Sequence, residues 1–184
     1  MRISNDYYLI IDLEATCSTD GTVPRDEMEI IEIGAVMQNA RTFEIESEFQ
    51  SFVRPVRHPE LTAFCKELTG IKQENVEGAP SFASAISAMQ EWMRAFEDSL
   101  FCSWGDYDRK QFIQDCQYHR LDYPFPQGHM NLKAEVSKTL GLKKQMGISG
   151  ALKYLGMEFE GSHHRGLDDA KNIARVVRRV IVNV

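Results

Sequence analysis

The 184 residues, 43% hydrophobic and 26% charged with a net charge of −6, describe a globular chain large enough to bury one continuous core. The acidic balance excludes a protein that coats nucleic acid through a broad basic field, but not an enzyme that needs a few local phosphate contacts. No stretch approaches the roughly 20 apolar residues of a membrane span, the N-terminus has no apolar targeting segment, and the four scattered cysteines lack CxxC spacing. A cytoplasmic single domain over residues 1–184 with reduced thiols is expected, with no membrane association and no obligate protein partner to be inferred.

The first element is the apolar run Tyr7 to Ile11, which ends in Asp12-Leu13-Glu14. Strand side chains alternate, so Asp12 and Glu14 point to one face and Leu13 to the other. Two anions forced together call for a cation, and hard oxygen ligands at a strand end suit Mg2+ or Mn2+. A polar, turn-rich segment follows, then a second buried strand over 28–37 and a strand over 44–53 whose mixture of apolar and polar residues (Ile45, Ser47, Phe49, Ser51, Val53) reads as half-exposed and antiparallel. Three consecutive strands make a meander.

Prolines at 55 and 59 break the pattern, and Leu61 to Gly70 reads as a short helix closed by its glycine. Ser81 caps a helix whose Phe82, Ile86, Met89, Met93 and Phe96 follow helical spacing and read as core. Ser99 to Trp104 is a buried strand; Gly105-Asp106-Tyr107-Asp108 turns it into a helix carrying Phe112, Ile113 and Cys116, a junction of the kind that often holds functional residues. Helices are expected over 131–140 and 148–155, ended by Gly141 and Gly156, and a strongly amphipathic one over 166–181. The order fits an α/β fold, a mixed sheet flanked by helices as in ribonuclease-H-like proteins.

The last helix offers two overlapping pairs, His163 with Asp168 and His164 with Asp169. Asp169 shares a stripe with Ile173, Val176, Val177 and Val180, which must face the sheet, whereas Asp168 lies with Asn172, Arg175 and Arg179 toward water. An inward Asp169 can join Asp12 and Glu14. The third acid stays open between Asp106, suited to an N-cap, and Asp108, one turn before Phe112.

With these residues in place the chain resembles the DEDDh 3'-to-5' exonucleases, and within them the Eri-type exoribonucleases. The resemblance spans nearly the whole sequence: Asp12-Leu13-Glu14-Ala15-Thr16-Cys17, close to the family's Asp-Phe-Glu-Ala-Thr-Cys; Ile30 to Ala35; Leu61 to Ile71; Ser103-Trp104-Gly105-x-x-Asp108; and His164-x-Gly166-Leu167-Asp168-Asp169-x-Lys171-Asn172-Ile173-Ala174. It implies a five-stranded ribonuclease-H-like sheet, and the Trp-Gly-x-x-Asp spacing favours Asp108 as the third acid. It also implies two divalent ions roughly 3.5 to 4 Å apart, bridged by Asp12 and completed by Glu14, Asp108 and Asp169. His164 is then the general base and His163 an exposed neighbour.

The implied activity is release of nucleoside 5'-monophosphates from the 3' end of RNA. The terminal nucleotide would be bound by Ala15, Thr16, Phe64, Leu68, Tyr107 and His164, with Trp104 a possible opposing wall. Glu32 reads as a hydrogen-bonded structural acid. Lys143, Lys144, Arg175, Arg178 and Arg179 are candidate phosphate contacts that read first as solvated faces; His58, His119 and His129 have no acidic partner at telling spacing. The family's larger members carry a further nucleic-acid-binding domain for which 184 residues leave no room, so stem-loop specificity is not expected. Two rivals remain: single-stranded DNA as substrate, and a binding or regulatory module without turnover. A complete set of mutually repelling acids argues against the second.

Overall fold

A computed structural model describes residues 3–182. One five-stranded sheet runs through it in the order β3-β2-β1-β4-β5. Strand β1 (Tyr7–Ala15), β2 (Ile30–Asn39) and β3 (Ile45–Phe52) form the antiparallel meander; β4 (Ser99–Ser103) joins the other side of β1 in parallel, and β5 (His129–Asn131) pairs parallel with β4. Helices α1 (Ala63–Thr69), α2 (Gln73–Glu77) and α3 (Phe82–Met93) connect β3 to β4. Helix α4 (Tyr107–His119) follows β4, and α5 (Leu132–Thr139), α6 (Ile148–Tyr154) and α7 (Gly166–Val182) complete the chain.

Alternation along β1 divides the core. Tyr8 and Ile10 face α5, α6 and the stripe Ala170, Ile173, Val176, Val177 and Val180 of α7. Leu9, Ile11 and Leu13 face Phe82, Ile86 and Met89 of α3 and Phe112 and Cys116 of α4. The sheet is thus covered on both faces, which is why β1 and β2 read as continuous apolar runs rather than alternating ones. The described residues include no helix long and apolar enough to cross a membrane.

Some elements depart from the pattern-based reading. The fifth strand is three residues long and half-buried, too short to leave a period of two, and it runs directly into the expected helix at Asn131. Helix α5 begins at Leu132, within one residue of the expected start, with the Asn131 side chain accepting from the Ala134 amide at 3.0 Å as its N-cap. Helix α3 stops at Met93, and Phe96 lies beyond it, edge-on to Tyr7 with centroids 5.1 Å apart. Helix α2 and a short helical turn at Arg25–Glu27 were not anticipated, because one or two turns carry no readable amphipathic period.

Candidate functional site

The site forms at the carboxyl end of β1, and a close backbone approach builds it. Asp12 lies opposite Gly34 in the β1–β2 register. A methyl group on Gly34 would stand 1.9 Å from the Gly166 carbonyl carbon, and one on Gly166 would stand 2.8 Å from the Asp12 carbonyl oxygen. Only the absence of side chains at both positions lets the first turn of α7 rest on the sheet here. One turn on, Asp169 meets the acids of β1: Asp12, Glu14 and Asp169 each place a carboxylate oxygen within 4.8 Å of the others. Asp108 reaches the same cavity from the first turn of α4, on the opposite side of the sheet, where it accepts from the Leu13 amide at 3.1 Å.

Asp106 is elsewhere. It occupies the N-cap position of α4 without a side-chain capping bond and instead accepts from Asn131, 3.2 Å away.

Crowding dominates the electrostatics. Removal from water, then repulsion by Asp108, Asp169 and Glu14, holds the Asp12 carboxyl well above its ordinary range. Glu14 is pushed up to about 8, by burial first and then by Asp169, Glu32 and Asp108. Burial raises Asp108 and Asp169 to about 6 against the hydrogen bonds that favour their charged forms. A set of hard carboxylate oxygens that resist ionising together fits a divalent cation of the Mg2+ or Mn2+ kind.

Glu32 pairs with Glu14 across β1 and β2 and is fully buried, but it stands outside the acid triad. Arg165 holds it bidentately, both contacts at 3.2 Å, and the Gly166 amide and Gln50 side chain complete its shell. The expected structural role agrees with this arrangement. Arg165 itself was not anticipated; a buried acid inside an apolar strand was the signal that a cation must come from elsewhere.

Asp169 also shapes the loop before α7. Its carboxylate accepts from the Arg165 amide at 3.1 Å, and His164 adopts a left-handed backbone at φ 62°. Both histidines line the cavity, with ring centroids 4.0 Å apart. His163, expected as an exposed bystander, is about half exposed but places Nε2 3.7 Å from Asp169 and 3.3 Å from the Ser149 hydroxyl. The ring of His164 has no hydrogen-bond partner among the described residues, and burial followed by the neighbouring His163 lowers its pKa.

The cavity is an open cleft of about 320 Å³, at the lower end of the roughly 300 to 1,000 Å³ range of small-ligand sites. Of the nucleotide-contact candidates, Ala15, Leu68, Tyr107 and His164 line it, as does Trp104. Phe64 does not: it is half-buried one turn before Leu68 and contributes nothing to the lining. Nor does Thr16, which is buried with its hydroxyl accepting from the Glu29 amide at 2.9 Å. Met28, Ile148 and Cys17 add walls that the sequence reading missed.

Asp168 and Asn172 do not face open water as the stripe implied. Asp168 is half-buried and accepts from the Ser162 amide, and Asn172, fully buried, bonds both backbone groups of Glu160; together they tie the preceding loop to α7. Arg175 and Arg178 pair with Glu160 and Glu44 and line a separate surface depression together with Arg179. Lys143 and Lys144 are exposed. His58 pairs with Glu27, His119 stacks on Phe82 and His129 bonds Ser103, so none of the three enters the site.

Residues 9–177 match the Exonuclease (RNase_T) family. ERI1 exoribonuclease 3 of Homo sapiens is 41% identical over 182 residues, which cover 94% of this chain and 52% of that protein. The nuclease domain of 3'hExo, a DEDDh family member bound to rAMP, superposes with a TM-score of 0.92 at 36% identity, over 100% of this chain and 95% of that one. A 3'-exonuclease that recognises the 3' end of the histone mRNA stem-loop superposes with a TM-score of 0.91 at 35% identity, over 98% of this chain and 65% of that one. The chain spans about half the length of the curated relatives it matches.

Proposed function

Because this chain belongs to the RNase_T exonuclease family, we propose that it is a metal-dependent 3'-to-5' exonuclease that releases nucleoside 5'-monophosphates from single-stranded RNA. The observation that carries the reading is the acid triad. Three carboxylates lie within 4.8 Å of one another on the floor of a cavity whose walls are apolar and aromatic, beside a histidine whose lowered pKa keeps it neutral. A structural role gives no reason to crowd unneutralised acids on the floor of a cleft.

Asp12, Glu14, Asp108 and Asp169 would hold the Mg2+ or Mn2+ ions. Bound there, such ions supply an acidified water and neutralise the charge that develops on a phosphodiester during displacement. His164 takes the proton of the attacking water, since a neutral imidazole with free ring nitrogens accepts one at neutral pH. Asp169 orients that loop through the Arg165 amide, so the same carboxylate serves the acid cluster and the placement of the base.

Leu68, Trp104, Tyr107, Met28 and Ile148 enclose the terminal nucleoside and shield it from water. Stacking and apolar contact of this kind tolerate any base. RNA is preferred over DNA on the relatives named as exoribonucleases and on the neighbour bound to rAMP.

The test is degradation of matched RNA and DNA oligonucleotides, labelled at either end, with Mg2+, with Mn2+ and with a chelator. Stepwise shortening from the 3' end that needs metal and favours RNA is expected. Equal rates on DNA would move the substrate class, and failure to degrade either polymer in any metal would leave a binding module.

A further inference from the structure

The concave surface continues past the cavity. A groove lined by Arg25, Asp26, Tyr107, Lys110, Gln111 and Gln114 adjoins it, and Tyr107 belongs to both linings. Tyr107, Lys110, Gln111 and Gln114 stand at i, i+3, i+4 and i+7, one stripe of α4. The floor therefore starts in the same turn as Asp108 and runs along about 10 Å of helix.

Its far bank, the turn Arg25–Glu27, is held in place. The Met28 carbonyl accepts from Gln114 at 2.7 Å, Gln111 at 2.8 Å and Arg57 at 3.1 Å, while Arg57 also donates to the Asp26 carbonyl at 3.0 Å and stacks 4.2 Å from the Tyr118 ring centroid. The Arg25 guanidinium stands 5.8 Å from the centre of the Tyr107 ring.

Arg25 and Lys110 are exposed, and among the described residues neither forms an ion pair, whereas Arg175 and Arg178 on α7 are tied to acids. Two cations not neutralised by an acid therefore border a cavity lined with carboxylates, in a chain whose net charge is −6. Asp26 is the one acid of the groove. A second depression beside Asp106 shares no lining residue with the cavity, and its His129 is already bonded to Ser103.

We infer that Arg25 and Lys110 form a phosphate-binding subsite for the strand on the 5' side of the scissile bond, carrying it out of the cavity along α4; this rests on the exonuclease reading above. A terminal nucleoside in the cavity puts its own phosphate at the carboxylates, so the rest of the strand must leave beside them. The groove that begins at Tyr107 is continuous with that point. A guanidinium fork and an ammonium bind phosphodiester oxygens whatever the base, which suits an enzyme that advances along a strand one nucleotide at a time.

The test compares two substrates on Arg25→Ala, Lys110→Ala and the double variant. One is a single-stranded RNA oligonucleotide. The other is the p-nitrophenyl ester of a nucleoside 5'-monophosphate, which has the terminal nucleoside and the scissile phosphate but no 5' strand. The double variant should lose about 10-fold or more in kcat/KM on the oligonucleotide, through KM, and little on the ester. Anisotropy of a labelled oligonucleotide with Ca2+ in place of Mg2+ should give a plot of log affinity against log salt shallower by about 1.4, or 0.7 for each lost phosphate contact. The charge-conserving pair Arg25→Lys and Lys110→Arg should restore most of the loss.

Equal losses on both substrates, or an unchanged oligonucleotide rate and salt slope, would overturn the subsite. A wild-type protein that hydrolyses neither substrate would instead overturn the exonuclease reading itself.

Discussion

Replacing Glu14 by glutamine should make the metal-free protein less sensitive to alkaline pH, and the structure sets the size of the effect. A carboxyl whose pKa is higher in the folded protein than in the unfolded chain holds its proton more tightly when folded. Its contribution is fully present below the unfolded value and is lost as pH rises through the folded one. For Glu14 that window runs from the ordinary 4.5 to about 8. At about 1.4 kcal/mol per pH unit, the cost of ionising this one buried acid reaches about 5 kcal/mol. Sharing of protons with Asp12, Asp108 and Asp169 reduces it, so about 2 to 5 kcal/mol is the expected range.

Urea titrations in a chelating buffer, at about pH 4.5 and about pH 8.5, read this directly. Between the two pH values the wild type should lose about 2 to 5 kcal/mol more than Glu14→Gln. The carboxamide's own desolvation is common to both pH values, and Asp115, pushed up to about 7 by burial, is common to both proteins, so both cancel in that difference. Added Mg2+ should restore the wild type at the higher pH and help the variant less. Parallel pH dependence in the two proteins would refute the claim that the carboxylates destabilise one another in the absence of a cation.

His164→Ala should cut the rate at neutral pH on the order of 100-fold, the scale of a lost general base, whereas His163→Ala should cost much less despite its contact with Asp169; a larger loss at His163 would transfer the role to it. Leu68→Ala should raise KM with metal affinity unchanged, since it lines the cavity, and Phe64→Ala should have the smaller effect; the reverse order, measured on the same oligonucleotide, would put Phe64 in the pocket. Gly34→Ala should destabilise by about 1 to 3 kcal/mol or more, and it should lower kcat in whatever folds, because its methyl group displaces the helix that carries Asp169. A variant with full stability and full rate would show that the backbone approach is not needed.

The sequence carried the strand that bears Asp12 and Glu14, because a run of β-prone residues ending in alternating acids has one sensible geometry. It also carried the inward face of α7, since the spacing of Ile173, Val176, Val177 and Val180 selects Asp169 over Asp168. The same stripe failed at Asn172. A polar residue was assigned to water, yet the carboxamide satisfies the Glu160 backbone in a buried position, and no periodicity records a partner 12 residues away. Choosing Asp108 over Asp106 needed a family motif, because both lie at one strand-to-helix turn and only tertiary packing brings the Leu13 amide to the former. Met28 and Arg165 stayed hidden for a related reason. Met28 is set by three donors on its carbonyl and Arg165, in the loop before α7, by a carboxylate on β2, and neither is a property of local sequence. The fifth strand was implied by family likeness alone.

The measurement that bears most directly on the account is a time course of a 5'-labelled single-stranded RNA beside the same sequence closed into a circle, with wild type and Asp12→Asn in Mg2+ and in chelator. The linear RNA should shorten one nucleotide at a time to nucleoside 5'-monophosphates with wild type and Mg2+ only, and the circle should survive. Asp12→Asn, folded as judged by circular dichroism, should leave both intact. Cuts in the circle, or wild-type turnover by Asp12→Asn, would contradict a metal-dependent exonuclease built on this acid cluster.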